Sequence, residues 1–106
     1  MSDIVAGLVT GPDREQLVRL GRALVEERLI ACLNVVDRVT SIYRWEGEVC
    51  EEVEALGILK TTAARSDAVE RRIRELHPYD VPEILFISVA AGSRPYVDWV
   101  SEQVSG

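Results

Sequence analysis

His77 is the only histidine in the chain. A neutral imidazole suits copper and similar borderline-soft ions, above all with a thiolate beside it. One imidazole is not a site, and a residue placed directly before Pro78 is equally suited to ending a helix or lining a cleft. The two cysteines, Cys32 and Cys50, are too far apart for a CxxC motif and have no histidine ladder near them. Both read as reduced thiols, packed as small hydrophobes unless a ligand engages them. Lys60 follows the apolar stretch Leu56–Leu59 and there needs an anionic partner or a route to solvent. It is the strongest single candidate for binding a small anionic or zwitterionic molecule, with a Lys60–Glu83 ion pair as the structural alternative. Glu46, Glu48, Glu51, Glu52 and Glu54 offer oxygen ligands for hard cations. Strand alternation puts Glu52 and Glu54 on one face and Glu51 on the other, which favours a solvated, aggregation-resistant hairpin over a metal cage.

As catalytic equipment this is poor. The chain has no Ser-His-Asp order, no HExxH, no GxxxxGK[ST] and no activated-cysteine signature, so an enzyme is not expected. A formal charge of −6 argues against phosphate backbones and anionic lipid, whose binding needs basic patches. The opening Met1–Val5 lacks a basic segment followed by a long apolar one, and no apolar run nears the roughly 18 residues that span a bilayer. The expectation is a cytoplasmic protein with no nucleic-acid or membrane partner.

These residues need elements to position them. With 47% apolar and 28% charged residues the chain has the composition of a folded protein, and at 106 residues it fits one domain, 1–106. Ile4–Val9 reads as a buried strand, and Thr10-Gly11-Pro12-Asp13 as its exit into a helix over residues 13 to 28, with Leu17, Leu20, Leu24 and Val25 at spacings of three and four. Ile30–Trp45 and Glu48–Thr62 form a long hairpin about Glu46-Gly47, with a bulge expected where the alternation slips between Val36 and Val39. Ser66 is expected to cap a second helix that carries Val69, Ile73 and Leu76 inward and stops at His77-Pro78. A strand over Ile84–Ala91 and a helix from Ser93, with Pro95 in its first turn, complete the order β-α-β-β-α-β-α. Its economical arrangement is α+β: a ferredoxin-like four-stranded antiparallel sheet with an extra C-terminal helix. On that plan an acylphosphatase-like enzyme would need an arginine in the loop after the first strand, where Asp13 stands instead.

The same plan leaves a surplus. Both helices lie on one side of the sheet, yet Ile4–Val9 and Ile84–Ala91 are nearly continuously apolar, so something must cover the other face. The hairpin is also far longer than a usual strand pair and offers a free edge. The expectation is a homo-oligomer, with its number left open.

Ala31-Cys32, Tyr43-Arg44-Trp45-Glu46-Gly47, Ile58-Leu59-Lys60-Thr61-Thr62 and His77-Pro78-Tyr79-Asp80-Val81-Pro82-Glu83-Ile84, in this order and followed by a Tyr96 and Trp99 helix, closely resemble the CutA family of divalent-cation tolerance proteins. The resemblance implies a ferredoxin-like homotrimer with hairpins pairing around a threefold axis, similar in architecture to the PII signalling proteins. It places Trp45, Lys60, Tyr79, Glu83, Tyr96 and Trp99 around an intersubunit cleft for a small ligand or cation. It also implies copper chemistry at His77, with Cys32 matching the family's cysteine. Of the family's other copper positions, Val9 stands where a cysteine is associated with binding and Leu76 where a second histidine is. The function implied is a binding and regulatory trimer in metal-ion tolerance; a rigid scaffold docking another protein and an unrecognised enzyme are the alternatives.

Overall fold

The computed structural model describes residues 3–106. The elements are β1 (Ile4–Gly11), α1 (Arg14–Glu26), β2 (Cys32–Trp45), β3 (Glu48–Thr62), a short 3-10 turn (Ala63–Arg65), α2 (Ser66–Leu76), β4 (Ile84–Ser88) and α3 (Arg94–Val104). The strands form one antiparallel sheet in the order β2-β3-β1-β4, the ferredoxin-like arrangement expected.

Alternation along the central strands sets everything else, because successive side chains point to opposite faces. Val5, Val9, Ala55, Leu59 and Thr61 are buried on one face, and Leu17, Leu20 and Leu24 of α1 with Val69 and Ile73 of α2 close over that face. α3 lies on the other, where Val100 and Val104 meet Ile4 and Ala31. Its C-terminal carbonyls, which no helical N–H can reach, are held by two arginines from elsewhere. Arg65 Nε donates to Val104 O at 2.8 Å and Arg28 Nη1 to Gln103 O at 3.2 Å. α3 covers only this end. Farther along, Val36, Leu85 and Ile87 are 41, 55 and 52% exposed; we call this the open face.

The hairpin turns through Glu46 and Gly47, both at positive φ (50° and 83°), which is the type I′ geometry that matches strand twist. The bulge falls between Val36 and Val39, as the slipped alternation predicts. β1 stops at Gly11, opposite Ala55, so Glu48–Glu54 pair with β2 alone and the hairpin runs on past the other strands; with it the molecule measures 44 × 26 × 23 Å.

Four sequence expectations need correction. α1 is shorter than 13–28: Asp13 is its cap, accepting from the Gln16 N–H at 2.9 Å. Ser66 does not cap α2, because the preceding 3-10 turn makes Arg65 the cap residue; Ser66 is the first helical residue and its hydroxyl donates to Ala63 O. Leu76 is not turned inward but 39% exposed: in the last turn of α2 it is Ile73 that faces the core, fully buried. β4 ends at Ser88 rather than Ala91: Ser88 is its last ladder residue, opposite Val5, and beyond it a single bond, from the Val89 N–H to Ile4 O at 3.1 Å, still ties the chain to β1.

Leu59 and Gly7 are direct cross-strand partners, and a Cβ on Gly7 would lie 2.7 Å from Leu59 Cγ. Leu59→Ala is therefore expected to cost about 2–5 kcal/mol and Gly7→Ala about 1–3 kcal/mol. The double variant should cost clearly less than the sum, measured by urea unfolding; full additivity would contradict this packing.

Candidate functional site

The candidate residues fall in three places. The first is the open face beside α3. Cys32 opens β2 directly opposite Lys60, so the two side chains stand together on that face. Lys60 Nζ donates to Asn34 Oδ1. Among the described residues no carboxylate lies within ion-pair distance of Lys60. The alternative pair with Glu83 is not formed: Glu83 precedes Ile84, which pairs with Val9, whereas Lys60 pairs with Ala6. From α3, the Tyr96 hydroxyl reaches Cys32 Sγ at 3.4 Å, and its ring stands 5.6 Å from that of Trp99. The thiol contact and partial burial push the Tyr96 phenol up to about 12. Lys60, Tyr96, Trp99 and Cys32 are thus neighbours. Asn34, which sequence reasoning missed, completes the group.

The second place is the root of the hairpin. His77 is 7% exposed and both ring nitrogens are occupied. The Tyr79 backbone N–H donates to Nδ1 at 3.1 Å, which leaves Nε2 as the donor to Thr10 O at 2.7 Å. The Tyr79 hydroxyl continues the chain, donating to Glu54 Oε2 at 2.8 Å. This segment fills the lane that β1 vacates after Gly11. Burial, then the Glu54 carboxylate, hold the Tyr79 phenol far above its ordinary range. Glu54, read in the sequence as a solvated hairpin acid, is the partner that Tyr79 requires.

The third place is the hairpin itself. Trp45 lies exposed at the tip, and the Tyr43 hydroxyl donates to Glu52 across the strand pair, which pushes that phenol up to about 12. Cys50 sits on the same face, opposite Tyr43.

Within one chain these places are separate. His77 lies level with Thr10 and Cys32 level with Lys60 and Ala6, four residues along β1, so the two metal candidates are not neighbours. No group of three or more His, Cys, Asp or Glu side chains among the described residues is placed to hold a metal ion. Val9, fully buried under the helices, and the exposed Leu76 contribute no ligand.

Because every tyrosine phenol is raised, the folded protein keeps its phenolic protons where an unfolded chain releases them. Stability from these bonds is complete below about pH 10 and declines above it. Tyrosinate absorbance at 295 nm should stay low through pH 11 in the folded protein, and a single ordinary titration near 10 would contradict these contacts.

Similarity to known proteins fits this geometry. Residues 5–103 match the family model described as CutA1 divalent ion tolerance protein. The divalent-cation tolerance protein CutA of Thermus thermophilus is 47% identical over 102 residues, covering 96% of this chain and 97% of that protein. Mouse protein CutA is 37% identical over 99 residues, 93% of this chain but only 56% of its own length. The crystal structure of CutA from Xylella fastidiosa superposes with a TM-score of 0.95 at 33% identity, covering 98% of this chain and all of that one. The match spans the sheet, all three helices and all eight candidate residues, and the chain belongs to the CutA1 divalent ion tolerance family.

Proposed function

We propose that the chain is a single domain that works as a homotrimeric binding protein, serving divalent-cation tolerance through clefts between its subunits. The observation that carries this reading is the open face. Val36, Leu85 and Ile87 continue one apolar surface with Leu8, Leu56 and Ile58, and on the opposite face of the sheet the projecting hairpin shows a second exposed apolar strip, Ile42, Val49 and Val53. A monomer with such a surface invites association, and closed cyclic assembly is the usual way to satisfy it. The threefold follows from the family resemblance. In a ring the projecting hairpin crosses to a neighbour, so Trp45 from one copy can join Lys60, Tyr96 and Trp99, or Tyr79 and Glu83, of another.

The donor set favours a small charged organic ligand over a resident copper ion. Lys60 repels cations, and the one imidazole has both nitrogens engaged. The latter also favours binding over catalysis, since histidine is the commonest proton carrier at neutral pH. No helix among the described residues is long and apolar enough to cross a membrane. A reducing compartment such as the cytoplasm suits Cys32 and Cys50, whose places on the hairpin are too far apart to bridge.

Sedimentation at micromolar concentration should give three times the 11.8 kDa chain. The Leu85→Arg, Ile87→Arg double variant should fall to smaller species; an 11.8 kDa wild-type monomer would overturn the assembly. A thermal-shift panel of metals and charged metabolites should give a stabilising hit that is lost in Lys60→Ala or Trp45→Ala. Silence across the panel would point to the scaffold, and turnover of a panel compound to an enzyme.

A further inference from the structure

The group around Lys60 is a set of donors lacking an acceptor. Lys60 Nζ has three hydrogens, of which the Asn34 oxygen takes one. The Asn34 amide has two N–H donors of its own, and the Tyr96 hydroxyl stands at the edge of the group, engaged with Cys32 Sγ. Cys32, directly opposite Lys60, adds a thiol rather than a charge. Arg28 and Arg65 meet α3 at its C-terminal end, at Gln103 O and Val104 O, away from Tyr96, so Lys60 is the cation that stands within this group. A single cation among neutral donors matches a monoanion better than a phosphate dianion.

Beside these donors stands a flat wall. The rings of Tyr96 and Trp99 are 5.6 Å apart and tilted by 33°, and the two residues are 44 and 40% exposed. Exposed aromatic faces next to a polar seat are the arrangement that takes a flat apolar body with a polar head. We infer that Lys60, Asn34, Tyr96 and Trp99 form a seat for a small aromatic carboxylate, its carboxylate on Lys60 Nζ and the Asn34 amide and its ring against Trp99. This rests on the ligand-cleft reading and narrows it to one chemical class.

The test uses the whole assembled protein with benzoate, acetate, benzamide and inorganic phosphate as probes, followed by calorimetry. Benzoate should bind best. Lys60→Met, which keeps the apolar stem, should weaken it about tenfold or more, the loss of a charge-assisted bond. Trp99→Leu should weaken benzoate about two- to tenfold while leaving acetate unchanged. If Lys60→Met disturbs folding or assembly, Asn34→Asp serves instead: its carboxylate occupies the lysine and should block benzoate equally. Acetate binding as well as benzoate, or benzamide doing so, would overturn the aromatic-carboxylate assignment while leaving a ligand cleft in place. Tighter Lys60-dependent binding of phosphate would overturn it in the same way. Stabilisation by metal ions alone would overturn it and leave the cleft in its cation form. No binding by any probe or metal to the intact oligomer would overturn both.

Discussion

The structure depends on one constraint: β1 and β3 are apolar on both faces, while α1 and α2 can cover only one. Positions 5, 7, 9 and 11 of β1 and 55, 57, 59 and 61 of β3 turn toward the helices and are all buried. The intervening Leu8, Leu56 and Ile58, with Leu85, Ile87 and Val36 beside them, turn the other way. Burying one such side chain contributes about 1.5–3 kcal/mol. Several of them together rival the roughly 5–15 kcal/mol that holds a domain folded. Covering the open face is thus a term comparable in size with folding, and the proposed assembly would be linked to stability through it.

The polar groups mark where cover stops. Lys60, Asn34 and Cys32 lie at the border between the part of the face under α3 and the part left open, a place where an ammonium keeps contact with water while its stem packs. At the opposite end, Thr10, His77, Tyr79 and Glu54 form a hydrogen-bonded strap across the position β1 gives up after Gly11. The strap ties the α2–β4 connection to the base of a hairpin whose outer half touches no other strand. Both polar groups thus follow from strand length: β1 is eight residues and β3 fifteen.

How far the sequence could be read follows from the same alternation. The apolar periods, the Glu46-Gly47 turn and the Pro78 stop sufficed for the elements and their order, because each is a local signal. The pairing of Cys32 with Lys60 was not legible. A two-residue turn sets partners whose numbers total 93, as in Val39 with Glu54, and that register would put Leu33 opposite Lys60. The bulge drops the total to 92, which turns Cys32 and Asn34 onto the lysine's face; a one-residue slip reverses every side chain beyond it. The slipped alternation announced a bulge but not its size, and Asn34 was missed for that reason. Tyr79–Glu54 was hidden differently, since it joins a loop to a strand across 25 residues with no periodicity to connect them.

The use made of His77 bears on how a metal-tolerance family can include this chain. With one nitrogen donating to Thr10 O and the other accepting from Tyr79, the imidazole could ligate only by giving up a backbone bond, in a place where water replaces it poorly. At the two other positions the family resemblance associates with copper, Val9 packs in the helix-covered core and Leu76 is apolar. In this chain neither position offers a ligand atom. The groups left uncommitted are the lysine seat and the aromatic rings beside it, whose charge and donors suit an anion. These groups are the ground for the proposal that the chain recognises an organic anion.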